Sequence, residues 1–165
     1  MRYRDLVDVY ERLEGTRQHS EVRKHLTELF RATPADLLPS ILYLSQGLLR
    51  PEFEGVELGV GEALARKAIA QSAGVEEALV RRETAISGDL GVTAERLRSG
   101  QRRLEPLEPL HVEEVYAELR AIAASRGDGA QEERLRRLTG LLVRAEPVEA
   151  RYLIRFVLGS LRIGI

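Results

Sequence analysis

Arginine is the residue through which this chain could do chemistry. Lys24 and Lys67 are its only lysines, and a guanidinium presents a planar fork of donors suited to phosphate or carboxylate. From Arg134 to Ile165 seven arginines (134, 136, 137, 144, 151, 155 and 162) stand against two acids, Glu146 and Glu149, a local balance of +5 in a chain of net charge −1. A neutral protein with one basic end has the form of an oriented anion binder. Two stretches in that end have suitable spacing. Gly127-Asp128-Gly129-Ala130 opens a helical run, so the backbone N–H groups there lack helical partners and carry partial positive charge, while the glycines allow a phosphodiester to approach the backbone closely. Arg151 and Arg155 share the narrow polar stripe of an otherwise apolar helix, and Arg162 follows between small and apolar residues. The plainer alternatives are that Asp128 caps a helix and that the arginines snorkel along apolar surface or join surface ion pairs.

Other chemistries find few residues. There is no cysteine, which excludes disulfides and thiolate sites. His19, His25 and His111 lack a metal-ligand spacing. No GxSxG elbow, Walker loop or HExxH motif occurs. Glu113-Glu114 and Glu132-Glu133 read as solvated helical faces. Leu58-Gly59-Val60-Gly61-Glu62 is half of a dinucleotide fingerprint without the preceding strand or the third glycine. Aromatic residues are not interleaved with the basic ones, which disfavours a platform for stacking single strands. Helix N-termini with arginines grip phosphates without reading bases, so the residues favour sequence-independent duplex binding. The alternative is a helical interaction scaffold whose arginines meet acidic protein surface. No secretory leader and no apolar run near ~18 residues is present, and the expected location is intracellular.

The elements that must position these residues are helices. Tyr3, Leu6, Val7, Tyr10 and Leu13 define an amphipathic helix ending at Gly15, and a second runs from Ser20 to Thr33-Pro34. Asp36 is placed to cap a third that reaches Gly47. Leu48 to Val60 reads as a loop. Gly61–Ala73 and Val75–Ser87 form a helical pair, Gly88 to Gly91 a tight turn, Thr93–Ser99 a short helix, and Gly100 to Pro109 an extended spacer. His111–Ser125, Ala130–Arg144 and a last helix opened by Pro147 and closed at Gly159 complete the chain. No stretch has a convincing strand pattern. The expected fold is all-α, an irregular bundle of eight or more helices in a single domain, residues 1–165.

Four stretches carry a family resemblance: Glu54-Gly55-Val56-Glu57-Leu58-Gly59-Val60-Gly61-Glu62; Ser87-Gly88-Asp89-Leu90-Gly91-Val92-Thr93-Ala94-Glu95; Gly127-Asp128-Gly129-Ala130-Gln131 with Arg134; and Glu149-Ala150-Arg151-Tyr152-Leu153-Ile154-Arg155 leading to Leu161-Arg162-Ile163-Gly164. In this order and at about this spacing, the chain resembles the N-terminal helical DNA-binding domain of the ATP-dependent DNA ligases of archaea and eukaryotes. The resemblance implies a bundle of about a dozen helices that sits on the minor groove on both sides of a nick. The implied DNA contacts are Gly127, Gly129, Ala130, Gln131 and Arg134 in one group, and Arg155, Arg162 and Gly164 in the other. The Gly59–Gly61 and Gly88–Gly91 turns read as structural. The family often has Ser where Asp128 and Ala130 stand, and Asp128 is expected to point back as a cap. The resemblance also implies further helices, then adenylation and OB domains that encircle nicked DNA with this one, using ATP and Mg; the expected state is a monomer. Lys24 and Lys67 lack the Lys-x-Asp-Gly context of the adenylated lysine, so these residues would bind DNA without ligating it and hold no cofactor themselves.

Overall fold

The computed structural model describes residues 1–50, 57–101 and 107–165. The start of the first motif (Glu54-Gly55-Val56), the middle of the 48–60 loop and residues 102–106 of the spacer lie outside the described residues. Among the described residues the chain forms nine helices and no strand: α1 Tyr3–Glu14, α2 His19–Ala32, α3 Leu38–Ser45, α4 Glu62–Ala73, α5 Glu77–Ser87, α6 Leu90–Ser99, α7 Val112–Ala124, α8 Ala130–Arg144 and α9 Pro147–Val157. The expected all-α fold is the observed one. Two local expectations are corrected. Helix α6 begins at Leu90 rather than Thr93, because Asp89 caps it by accepting the Gly91 N–H at 2.7 Å. The residue that precedes α3 is Leu37, and no side chain caps that helix, so Asp36 does not act there.

The last helix is the most buried element. Every residue of α9 from Val148 to Val157 is buried except Arg151, which is partly so. Pro147 occupies the first turn, where its missing N–H costs nothing, and the Glu149 carboxylate accepts the Glu146 N–H at 2.8 Å. The exit is a Schellman turn. Gly159 takes φ +71° and donates to Phe156 O, while the Ser160 N–H reaches Arg155 O at 2.9 Å. Around α9 pack α1 and α6. Gly91 makes the α6 contact possible, since a Cβ there would lie 2.7 Å from Arg151 O and 2.9 Å from Arg155 Cγ. On α1, the Tyr10 ring meets Tyr152 edge-on at 5.5 Å. Main-chain bonds Tyr3 N–H to Leu110 O (2.8 Å) and Val112 N–H to Met1 O (2.9 Å) pin the N-terminus to the start of α7.

A second layer is built on the packed pair α4 and α8. Their C-terminal ends meet at Arg98, a buried residue on α6. Its guanidinium donates to Ser72 O at the end of α4 (3.2 Å) and to Val143 O (2.7 Å) and Ala145 O (3.4 Å) at the end of α8. A cation placed among the last carbonyls of two helices also meets the negative ends of their dipoles. Their first turns meet at the opposite end, where Ala63 and Leu64 of α4 border one small cavity with Gln131 and Glu132 of α8. The two helices therefore run parallel, with both N-termini on one face.

Candidate nucleic-acid interface

That face is built from backbone more than from side chains. Helix α8 starts at Ala130, with Gly129 in the left-handed region (φ +78°) as the residue before it, and no side chain caps it. Asp128 is exposed and makes no cap, contrary to the expectation that it points back. A Cβ on Gly127 or Gly129 would meet nothing within 4 Å, so these glycines serve their positive φ and an open approach rather than internal packing. Helix α4 starts at Glu62, likewise preceded by a glycine, Gly61, and with no side-chain cap. Two helix N-termini without side-chain caps thus open beside each other, the Ala130 N–H of α8 turning back to Gly127 O at 3.2 Å, and Lys67 of α4 borders the same cavity as Gln131.

Arg134 holds this arrangement from beneath. Its guanidinium donates to Ser125 O (2.7 Å) and Ile122 O (3.3 Å), the end of α7. It also lies under the loop before α4, where a Cβ on Gly59 would come within 2.8 Å of Arg134 Cζ. Gly59 is therefore a close-approach glycine that lets the 57–61 loop rest on an arginine of α8. In this way the Gly59–Gly61 and Gly127–Gln131 motifs are brought together.

The other predicted group divides. Arg155 is buried, with 5% of its side chain exposed. Its Nε and Nη2 donate to Asp89 Oδ2 at 3.0 and 2.8 Å, and Nη1 donates to Glu14 Oε2 at 2.8 Å. The guanidinium stacks 5.5 Å from the Tyr152 ring centre, whose hydroxyl also donates to Glu14. Burial alone would raise the Asp89 carboxyl, yet the Arg155 hydrogen bonds and charge, with the Gly91 and Val92 amides, hold it below the ordinary carboxylate range. The same balance, with Arg155 and Tyr152 as donors, depresses Glu14. Arg155 thus joins α1, α6 and α9 as an internal ion-pair centre, and phosphate would have to displace two carboxylates to reach it. Arg162 stands in contrast. Its flanks Leu161 and Ile163 are buried, its own side chain is 57% exposed, and its backbone holds φ +60°, the one non-glycine positive φ among the described residues. The tail thus accepts backbone strain to turn this arginine outward, with only a 3.4 Å approach to Asp89. Gly164 follows, exposed, at φ +75°.

The basic end of the sequence is not a basic end in space. Arg136 and Arg137 pair with Glu133, and Arg137 also with Glu118. Arg144 pairs with Glu114, and Arg151 with Glu11 and Glu95. Acids from upstream helices fold onto the arginines that follow them, so the +5 balance along the chain is largely neutralised. Glu114 and Glu133 are correspondingly ion-pair partners rather than a merely solvated face. Sequence reasoning missed Arg98, whose signal is its place at i+8 from Leu90 and i+4 from Ala94 on the apolar stripe of α6. It also missed Arg66, Lys67 and Arg81, which lie outside the four motifs.

No helix among the described residues is long and apolar enough to cross a membrane. A family profile described as the DNA ligase N terminus matches residues 2–165. The chain is 43% identical to DNA ligase 2 of Thermofilum pendens, over 99% of this chain and 28% of that protein. It is 39% identical to the DNA ligase of Nitrosopumilus maritimus, over 100% and 28%, and 40% identical to that of Aeropyrum pernix, over 100% and 30%. The chain thus spans under a third of the length of these relatives. With the helical architecture and the motif order above, these likenesses establish that it belongs to the DNA ligase N-terminal family.

Proposed function

We propose that this chain is the non-catalytic DNA-binding domain of an ATP-dependent DNA ligase serving replication, repair and recombination. It grips nicked duplex DNA along the minor groove through sugar–phosphate contacts and reads no base sequence. The observation that carries this reading is the pair of uncapped helix N-termini, α4 and α8, opening side by side behind the glycine loop, with Lys67 beside them. Gly127, Gly129, Ala130 and Gln131 are assigned to phosphate contact in one group, and Arg162 with Gly164 in the other. Arg155 is reassigned from contact to support, because its three guanidinium nitrogens all donate within the protein, and Arg134 is assigned chiefly to support, because its Nε and Nη2 donate to Ile122 O and Ser125 O. The rival scaffold reading is the less favoured, since Arg136, Arg137, Arg144, Arg151 and Arg155 of the basic segment already face carboxylates of this chain.

Adenylation and OB domains, ATP and Mg belong to the proposed parent enzyme. The residues described do not fit those cofactors. Lys24 and Lys67 lie exposed on helix surfaces, and no group of three or more acidic, His or Cys side chains among the described residues could hold a metal. The domain is proposed to act as a monomer.

Fluorescence anisotropy on labelled nicked and intact duplexes tests the reading. If about six phosphates are neutralised, log K against log[salt] should fall with a slope of roughly −5, alike for unrelated base sequences. Affinity indifferent to salt, or dominated by one base sequence, would overturn it.

A further inference from the structure

A cleft of about 370 Å³ lies between α4, α5, the start of α6 with Gly88 and Asp89 before it, and the tail. Arg66 of α4, Arg81 of α5 and Arg162 of the tail enter its lining from three separate elements. Arg66 and Arg81 have no carboxylate within ion-pair distance among the described residues, whereas the arginines of α8 and α9 are nearly all paired. The carboxylates that line it are Asp89, already committed to Arg155 and to the α6 cap, and Glu62. The Thr84 hydroxyl also lines the cleft, and its proton is engaged by Val80 O or Thr93. Arg162 approaches Asp89 at 3.4 Å, and Arg66 and Arg81 against one uncommitted carboxylate, Glu62, leave a net positive charge that suits a bound anion.

We propose that this cleft is a phosphate pocket, with Arg66 and Arg81 as ligands alongside Arg162, and that the phosphate it takes is one from a DNA strand. The source of the phosphate rests on the duplex-binding reading; the chemistry of the pocket does not. A strand phosphate seated there explains why the tail accepts a positive φ at Arg162: the strained backbone brings the third guanidinium over the cleft. It also continues the contact surface across α4, because Glu62 and Arg66 border this cleft while Ala63 and Lys67 border the cavity at the α8 N-terminus.

The experiment compares the wild-type chain with Arg66→Ala/Arg81→Ala and with the charge-conserving Arg66→Lys/Arg81→Lys. On duplex DNA, the alanine pair should bind about tenfold or more weakly at 0.1 M salt, with a salt slope shallower by up to about 0.9, the share of the one phosphate the cleft neutralises, and the lysine pair should keep the wild-type slope. In a second arm, inorganic phosphate is titrated at constant ionic strength while the backbone amides of Thr84, Gly88 and Gly91 are followed by NMR. Saturable shifts in the wild type that vanish in the alanine pair support the pocket. If the wild type binds no duplex but phosphate still saturates the cleft through these arginines, the pocket stands and the DNA reading falls. A wild type that binds duplex while the alanine pair keeps its affinity and slope, or an absence of phosphate-dependent shifts, overturns the proposal. Should the alanine pair fail to fold, single methylphosphonate substitutions along the duplex put the same question to wild-type protein: at least one position must reduce affinity and remove the protection of Gly88 by DNA, and a scan without such a position overturns it.

Discussion

The two ends of the α4–α8 pair are treated in opposite ways. At the C-terminal end the carbonyls of Ser72, Val143 and Ala145 are collected by the buried guanidinium of Arg98. At the N-terminal end neither helix has a side-chain cap, and both are entered through glycines. A fold that closes one set of helix ends with a buried arginine has the means to close the other. N-termini without side-chain caps on one face suit the outside acceptor that the proposed function supplies. The arginines divide along the same line. Arg98 and Arg155 are internal and hold helices together, whereas Arg66 and Lys67 lie on the open side without an ion pair among the described residues, and Arg162 only approaches Asp89 at 3.4 Å. Replacing an internal arginine should cost stability and leave the salt dependence of the folded protein's DNA binding unchanged. Replacing an open one should do the reverse.

The largest effect is expected at Arg155. Arg155→Met strands two carboxylates, Asp89 and Glu14, in a poorly solvated junction, and breaking a buried pair in this way costs about 3–5 kcal/mol. Chemical denaturation at pH 7 measures it, and a loss under ~1 kcal/mol would refute the junction role. The pH dependence follows in sign. Both carboxyls titrate below their ordinary range in the folded state, so their contribution is present at neutral pH and disappears as pH falls below about 4 and through their folded values. Wild-type stability should therefore drop through that window, and Arg155→Met should show a flatter profile because the contribution is already gone.

Arg98→Met comes next, at about 2–4 kcal/mol, because it takes the guanidinium donors from the Val143 and Ala145 carbonyls, leaves Ser72 O to Gln101 Nε2, and removes a cation from two helix C-termini. This variant sharpens the comparison most directly. It disturbs the sealed end alone, and whatever DNA affinity changes in protein that remains folded reports how far the spacing of the two C-termini sets that of the N-termini a helix length away. Arg98→Lys offers one ammonium for carbonyls on two helices and should recover only part of the loss.

These residues also mark how far the sequence could be read. Helix periods, proline starts and glycine stops give the order of the elements, because they are local properties of a few turns; α8 is expected at Ala130–Arg144 and is found there. The glycine loop at Gly127 is legible for the same reason. What could not be read is which charges meet. Arg155 and Arg162 look alike along the chain, each a basic residue in an apolar neighbourhood, and the difference between them is made by Glu14 and Asp89, 141 and 66 residues upstream of Arg155. Likewise, the +5 segment is basic only until α1, α6 and α7 bring their glutamates to it. Gly91 carries the same lesson for packing: in sequence it is a turn glycine, in space it is where α6 touches α9.

The smallest change in stability should come from Arg162→Gly, and its sign is what tests the comparison. A non-glycine residue at φ +60° is strained by about 1 kcal/mol or somewhat more, and glycine removes that strain. The side chain contributes little in return: it is 57% exposed and meets Asp89 only at 3.4 Å, where a solvated ion pair is worth a few tenths of a kcal/mol. The variant should therefore be as stable as wild type or more stable by about 0.5–1 kcal/mol, while its duplex affinity falls several-fold and its salt slope flattens by roughly 0.9. Arg162→Ala separates the two causes, because it loses the charge but keeps the strain: it should match Arg162→Gly in binding and lack its gain in stability. A residue that weakens folding and strengthens phosphate binding is expected on an open face and has no reason to exist in a sealed junction. If Arg162→Gly instead destabilises the chain and leaves the slope unchanged, Arg162 belongs with Arg155, and the division of the arginines into two classes fails at the position where it is drawn most sharply.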